Sequence, residues 1–200
     1  MMVTVLMLLA AGQRFLGPPE KKPADAGAQH APSEPADAPL LNPGDDAPMF
    51  SGVLHNPAEA GMQRIDLSSL VGSEAEADQQ KKAVLISFFA TWCKPCKKEM
   101  PFLEQLYTEY KDKGLQLISV AIDKDEANWP QIGELVKLNK ITYPIVKDRY
   151  NLIARQYLGD KTAMPSVFIL DKDGKVRLVK QGYTNDAAEF LRTEVEKALQ

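Results

Sequence analysis

The feature that most restricts the fold of this chain is its one pair of cysteines, Cys93 and Cys96, together with the segments on either side. Residues 83–90 form a nearly continuous apolar run rich in strand formers, which predicts a strand buried on both faces. After the cysteines, apolar residues recur mostly at spacings of three and four up to about Gly114, which predicts an amphipathic helix. The cysteines are therefore expected where a buried strand gives way to a helix.

This position favours disulfide-exchange chemistry. The free N–H groups and the dipole of a helix N-terminus stabilise a thiolate, and the thiolate is the nucleophile in disulfide exchange. Cys93 is predicted to attack, with Lys94 adding positive charge nearby, and Cys96, about one turn further along, to resolve the mixed disulfide. Pro95 has no N–H to donate and stiffens the turn. We interpret the pair as redox-active.

Metal and haem sites fit the cysteine pair poorly, so no metal and no cofactor is expected. A zinc site needs two further ligands, and the chain has no other cysteine and two histidines, His30 and His55, away from the pair. Covalent haem attachment needs a histidine directly after the second cysteine, where Lys97 stands. A purely structural disulfide stays open as an alternative, although a bridge that closes so short a loop stabilises little.

The composition is that of a soluble globular protein. Of the 200 residues, 44% are apolar and 26% are charged, and the formal net charge is −3. Because nucleic-acid binding rests on an excess of basic residues, a nucleic-acid partner is not expected.

The remaining patterns predict an α/β layer fold. Further strands are predicted at 115–122, 166–170 and 176–179, and further helices from Trp129, over 150–157, and after Asn185 or Asp186. Strands that alternate with helices, followed by a hairpin and a closing helix, indicate a central sheet covered by helices.

The segment around the cysteines resembles the active-site segment of the thioredoxin superfamily and, more narrowly, that of the TlpA/ResA-like thiol-disulfide oxidoreductases. The resemblance rests on residues 88–101 (FFATWCKPCKKEMP) and 164–174 (MPSVFILDKDG), and it extends from about Asn42 to the C-terminus. It implies a thioredoxin-like fold with a central mixed β-sheet flanked by helices. It also implies a strand-helix insertion, residues 115 to about 140, between the active-site helix and a cis-proline.

The resemblance assigns roles to several residues around the cysteines. By it, Pro165 is the cis-proline that faces the cysteines and, with Met164, holds the substrate chain. Trp92 is expected to cover the sulfur atoms, or to pack at the edge of the core. Glu99 matches a family glutamate that influences thiol acidity, and it is either the local proton acceptor or an exposed helix residue. Plain thioredoxins carry a buried aspartate where this chain has Ser87.

The function that the resemblance implies is that of an extracytoplasmic reductant or exchanger of protein disulfides. Several members of this group reduce apocytochrome c thiols, so cytochrome c maturation or envelope redox homeostasis is the expected setting. The expected partners are proteins with thiols or disulfides, and a membrane thiol-transfer protein as electron donor. Because no histidine lies between the cysteines, a strong oxidant is not expected. The alternative is a thioredoxin-fold binding or redox-sensor module without catalytic turnover.

Three regions are predicted along the chain. Residues 1–16 resemble an export signal, because residues 1–12 are an apolar run that is too short to span a membrane and that ends in the small residues Ala10, Ala11 and Gly12. No basic segment precedes the run, so either the true start lies upstream or the signal is atypical. Residues 17–41, rich in Pro and Ala, are expected to be a flexible linker, and residues 42–200 the thioredoxin-like domain. Extracytoplasmic location is expected, with a cytosolic thioredoxin-like protein that keeps its N-terminus as the alternative.

Overall fold

A computed structural model describes residues 41–159 and 163–200, so the predicted export signal and nearly all of the predicted linker lie outside the described residues. The strands are β1 (Ser51–Val53), β2 (Arg64–Asp66), β3 (Ala83–Phe89), β4 (Leu115–Ala121), β5 (Ile145–Lys147), β6 (Ser166–Asp171) and β7 (Val176–Gln181). The α-helices are α1 (Pro57–Ala60), α2 (Lys94–Tyr110), α3 (Trp129–Asn139), α4 (Leu152–Leu158) and α5 (Ala187–Ala198).

Strand β3 lies at the centre of a five-stranded sheet with the order β5-β4-β3-β6-β7. It pairs parallel with β4 and antiparallel with β6, so the sheet is mixed. All seven residues of β3 and all seven of β4 are buried, as the continuous apolar runs in the sequence predict. The predicted α/β fold with a central mixed sheet flanked by helices is confirmed.

An aromatic cluster ties the N-terminal part of the domain to the sheet. The ring of Tyr157 in α4 lies 5.2 Å from that of Phe168, 5.5 Å from that of Phe88 and 6.1 Å from that of Phe50, between ring centroids. Such tilted and edge-to-face pairs are favourable beyond the apolar area they bury. The Tyr157 hydroxyl, which burial would leave unpaired, donates a hydrogen bond to the Pro48 carbonyl at 2.8 Å.

The stretch predicted as a strand-helix insertion, residues 115 to about 140, forms β4 and α3. The helix predicted over 150–157 begins two residues later than expected, at Leu152. The helix cannot begin earlier because Asn151 has left-handed backbone angles (φ 53°), and the Asp148 carboxylate accepts hydrogen bonds from the N–H groups of Leu152 (2.8 Å) and Ala154 (2.7 Å) at the helix start.

The short strands β1, β2 and β5 were not predicted, and a buried amide holds β5 in place. Asn56, 3% exposed, donates to the Tyr143 carbonyl and accepts from the Ile145 N–H, both at 2.9 Å. Next to it, a single β-bridge joins Leu54 to Val146. Because buried backbone groups must be paired, Asn56 connects the segment that follows β1 to the edge of the main sheet.

Replacing Asn56 by Ala is expected to lower the free energy of unfolding by about 2 to 3 kcal/mol, because the buried Tyr143 carbonyl and Ile145 N–H lose their partner. Urea unfolding of the full chain, followed by circular dichroism, measures this change. Asn139→Ala is the matched control, because the Asn139 amide donates at a half-buried site to the Leu135 carbonyl of its own helix. That variant is expected to lose less than about 1 kcal/mol. Equal losses for the two variants would contradict the connecting role of Asn56.

Candidate active site

The cysteine pair lies in the turn between β3 and α2. The Ala90 carbonyl accepts a hydrogen bond from the Cys93 N–H at 3.0 Å, which closes a four-residue turn through Thr91 and Trp92. Cys93 then becomes the N-cap of α2, with extended backbone angles (φ −80°, ψ 99°). Its Sγ accepts a hydrogen bond from the Cys96 N–H at 3.2 Å. Cys93 thus occupies the position from which a side chain satisfies a free N–H group at the helix start.

Cys93 and Cys96 form a disulfide, with their Cα atoms 5.3 Å apart. Both residues are buried, at 4% and 2% exposure. Between them, Lys94 is exposed and Pro95 is half-buried in the first turn of α2, where a missing N–H leaves no hydrogen bond unmade. The structure therefore shows the oxidised form of the pair, at the helix start that the sequence predicts.

Trp92 projects outward from this turn and is 64% exposed. The expectation that it packs at the edge of the core is therefore wrong, while a role in covering the sulfur atoms stays a prediction. A cleft of about 540 Å³ opens beside the indole, and its walls include Lys124, Tyr150 and Arg155. These residues come from the segments that follow β4 and β5 and from α4, so the cleft lies at the end of the sheet from which the cysteine turn leaves.

Glu99 lies on α2, three residues after Cys96. It is 3% exposed, and neither of its carboxylate oxygens accepts a hydrogen bond within the part of the chain that the structure describes. Burial raises the pKa of the Glu99 carboxyl to about 7, against the opposite effect of the positive charge of Lys180 on β7. Glu99 is thus not an exposed helix residue, and its carboxyl changes its protonation state near neutral pH.

The peptide bond between Met164 and Pro165 is cis. It precedes β6, in which Ser166 pairs with Phe88 of the antiparallel strand β3. Continuing this register places Pro165 opposite Phe89, at the end of β3 from which the cysteine turn leaves. Contact between this proline and a substrate chain, and the supporting role of Met164, stay predictions.

One side chain at the site was not predicted from the sequence. The Asp123 carboxylate, 2% exposed, accepts hydrogen bonds from the Thr91 hydroxyl (2.6 Å) and from the Thr91 N–H (3.0 and 3.2 Å to its two oxygens). The signal for it is indirect: a polar residue directly follows a buried strand, and the carboxyl ends of neighbouring parallel strands meet at one edge of a sheet.

Among residues 41–159 and 163–200, neither a metal-binding cluster nor a membrane-spanning helix is found. No three side chains of His, Cys, Asp or Glu in this part of the chain are placed to hold one ion. None of its helices is both long and apolar enough to cross a bilayer, which takes about 20 apolar residues.

Several known proteins are similar to this chain. A protein-family model described as the AhpC/TSA family matches residues 43–179. The thiol-disulfide oxidoreductase ResA of Bacillus thuringiensis subsp. konkukian is 38% identical over 111 residues, which are 55% of this chain and 61% of that protein. The ResA of Oceanobacillus iheyensis is 30% identical over 155 residues, 72% of either chain.

Among solved structures, a thiol:disulfide interchange protein of the thioredoxin family from Chlorobium tepidum TLS is 26% identical to this chain. Its TM-score is 0.62, over 81% of this chain and 100% of that one. The family match covers more than half of the chain and includes the cysteine turn, α2 and the cis-proline. The resemblance read from the sequence is thus confirmed, and the chain belongs to the AhpC/TSA family of the thioredoxin superfamily, among its ResA-like members.

Proposed function

We propose that this protein is a thiol-disulfide oxidoreductase that exchanges its Cys93–Cys96 dithiol with the disulfides of other proteins. The observation that carries the proposal is the disulfide at the start of α2, where the Cys93 sulfur accepts the Cys96 N–H. A helix N-terminus lowers the pKa of a thiol, and the thiolate is the form that attacks a disulfide. The relatives named as thiol-disulfide oxidoreductases support the same chemistry, although the chain spans only 61% of the length of the first of them.

The first step is attack by the Cys93 thiolate on one sulfur of a client disulfide. A bond forms between the Cys93 Sγ and that sulfur, the client S–S bond breaks, and the second client sulfur leaves as a thiolate that takes a proton from water. The product is a mixed disulfide between Cys93 and the client. The cleft beside Trp92, the residue before Cys93, is the proposed place for the client chain.

The second step is resolution by Cys96. Its thiol gives a proton to the Glu99 carboxylate, and the resulting thiolate attacks the Cys93 Sγ. The Cys93–Cys96 bond forms, the bond to the client breaks, and the client sulfur that was bonded to Cys93 leaves as a thiolate that takes a proton from water, while Glu99 returns its proton to water. Two electrons have passed from the protein dithiol to the client, and a thiol donor must return them before another turnover.

The proposal extends to a setting outside the cytoplasm. The apolar run of residues 1–12 and the small residues at its end support export, and the resemblance to TlpA/ResA-like proteins supports net reduction or exchange. Apocytochrome c, with its cysteines oxidised to a disulfide, or other envelope proteins with disulfides are the proposed clients, and a membrane thiol-transfer protein is the proposed electron donor. N-terminal sequencing of the mature protein from fractionated cells tests the location, and a chain that keeps residues 1–12 in the cytosol would contradict it.

The two cysteines are expected to respond differently to replacement by serine. In the insulin-turbidity assay with dithiothreitol, Cys93→Ser should lose the acceleration given by the wild-type chain, because the attacking sulfur is gone. Cys96→Ser should accumulate mixed disulfides with clients, because nothing resolves them. Non-reducing gels of the two variants, followed by identification of the bound proteins, measure this trapping.

Each cysteine variant is the matched control of the other, since both carry the same substitution in the same helix turn. Turbidity activity that survives Cys93→Ser would overturn the proposal. Mixed disulfides that form with Cys93→Ser but not with Cys96→Ser would reverse the two roles.

Glu99→Gln is expected to remove the rise of the resolving rate near pH 7 and to leave only the rise at the higher pH where the Cys96 thiol ionises on its own. With a pKa of about 7, the wild-type carboxylate gains its capacity to accept a proton as the pH rises through 7, so the wild-type rate should rise over that range. The variant should be slower by about a hundredfold at pH 8. Stopped-flow release of a small thiol from its mixed disulfide with Cys93, between pH 5.5 and 9, measures the rate. Glu104→Gln, further along the same helix, is the control, and one shared profile for wild type and Glu99→Gln would contradict the role.

Glu99 is also expected to make the oxidised protein less stable as the pH rises. The folded carboxyl has a pKa of about 7 against about 4.5 when unfolded, so the folded state holds the extra proton between these values. Its stabilising contribution is complete below pH 4.5 and is lost as the pH rises through 7. Relative to Glu99→Gln, the wild type should lose up to about 3 kcal/mol of unfolding free energy between pH 4.5 and 8.

Urea unfolding of both oxidised proteins across this range gives the difference, and the disulfide prevents the cysteines from titrating. Two other ionisable side chains interact with the carboxyl, Lys180 from β7 and Tyr143 from the segment before β5. Burial raises the pKa of Tyr143, so its hydroxyl keeps its proton throughout. Stability curves that run parallel for the two proteins would contradict the raised pKa of Glu99.

A further inference from the structure

The turn that carries Cys93 is held from outside by a single carboxylate. Thr91 is the second residue of this turn, and both its N–H and its hydroxyl donate to Asp123, with the hydroxyl bond at 2.6 Å. Hydrogen bonds to a charged group are stronger than neutral ones, and this group is 2% exposed. The first half of the turn is therefore fixed to the segment that follows β4.

Asp123 is itself fixed at its backbone. The N–H of Ile122, the preceding residue, donates to the carbonyl of Phe89, the last residue of β3, at 3.0 Å, which extends the pairing one residue beyond the end of β4. The Trp129 indole N–H, at the start of α3, donates to the Asp123 carbonyl at 3.3 Å. A carboxylate anchored in this way gives Thr91 a fixed reference point rather than a mobile partner.

Fixing Thr91 also restricts the position of Cys93, which lies two residues further along the chain. With Thr91 held, the hydrogen bond from the Cys93 N–H to the Ala90 carbonyl sets the direction in which the chain leaves the turn. That direction turns Trp92 outward and places Cys93 at the N-cap, where its Sγ meets the Cys96 N–H. A loose turn would let Cys93 leave the free N–H groups that favour its thiolate.

We propose that Asp123 is a positioning residue for disulfide exchange, acting through Thr91 to hold Cys93 at the N-terminus of α2. The inference rests on the proposed function only for its turnover measurement. The acidity of the Cys93 thiol can be measured whether or not the protein turns over a client.

A positioning role and a simple charge effect predict opposite changes. If Asp123 acted on Cys93 only through its negative charge, removing that charge would favour the thiolate and lower the pKa of the thiol. If it holds the turn, removing either partner of the bond weakens the link between Cys93 and the helix start, and the pKa of the thiol rises. Thr91→Val removes the hydroxyl without changing the charge, and Asp123→Asn removes the charge as well.

The test is carried out first in a Cys96→Ser background, in which Cys93 carries the one thiol of the chain. The pH dependence of the alkylation of this thiol by iodoacetamide gives its pKa. In the chain with both cysteines, kcat and KM are measured separately with a fluorescent disulfide peptide. Both Thr91→Val and Asp123→Asn should raise the thiol pKa. Thr91→Val should lower kcat/KM by about threefold and Asp123→Asn by about tenfold, with most of the loss in kcat. Thr91→Ser, which keeps a hydroxyl, should recover most of what Thr91→Val loses.

The chain offers a matched control away from the cysteine turn. The N–H and the hydroxyl of Thr142 donate to the Glu104 carboxylate at 2.8 and 2.6 Å, the same pattern at a solvent-exposed site. Thr142→Val and Glu104→Gln should change neither the thiol pKa nor kcat. Thermal unfolding of every variant separates a loss of stability from a loss of positioning.

A Thr91→Val variant that folds and keeps the wild-type thiol pKa would overturn the proposal. So would an Asp123→Asn variant that lowers this pKa, because its carboxylate would then act through charge. If Asp123→Asn does not fold, the comparison of Val with Ser at Thr91 decides alone. A wild-type chain without turnover would defeat the proposed function, and the thiol pKa values would still decide the positioning role.

Discussion

The parallel pairing of β3 with β4 is the interaction on which the site depends. The two strands pair in register from Ala83 and Leu115 to Phe89 and Ala121, so both chains leave the sheet at the same edge. β3 continues into the cysteine turn. β4 continues into the segment with Asp123, whose carboxylate accepts hydrogen bonds from that turn. Since every residue of both strands is buried, a slip of one residue would reverse the face of each side chain and is strongly disfavoured. The interior of the sheet therefore sets the distance between the two halves of the site.

Two buried carboxylates belong to the candidate site, Glu99 three residues after Cys96 and Asp123 at the cysteine turn, and their environments differ. Asp123 accepts three hydrogen bonds from one threonine, whereas Glu99 accepts none within the described residues. A buried carboxylate without partners destabilises the fold unless it takes up a proton, and an apolar residue in the same helix position would avoid that cost. Packing thus gives no reason for Glu99 at this position. A group that changes its protonation state near neutral pH, three residues after Cys96, fits the proposed chemical role.

The sequence predicts those strands and helices of this fold that have long apolar patterns. β3 and β4 are apolar runs of seven residues each, and α2 has a helical period over 17 residues, so the type and approximate limits of these elements follow from the apolar pattern. β1, β2 and β5 have three residues each, too few for a period, and β5 depends on an amide 89 residues away in the chain. At the site, the cysteines and the cis-proline could be read from local motifs. The exposure of Trp92, the burial of Glu99 and the hydrogen bonds to Asp123 depend on which segments pack together. Local sequence patterns do not predict such packing.

The difference between the two sulfurs follows from helix geometry rather than from exposure, which is low and nearly equal for both. At the N-cap, the Cys93 sulfur accepts a backbone N–H, an interaction that would stabilise a negative charge on this sulfur. Cys96 lies inside the first turn, and the residue three positions further on, Glu99, shares its side of the helix. One sulfur thus has a hydrogen-bond donor, and the other has a buried carboxyl three residues further along its helix. A disulfide that served only as a covalent link would need neither, and in a loop this short it would add little stability. The unequal surroundings of the two cysteines therefore favour exchange chemistry over a structural bridge.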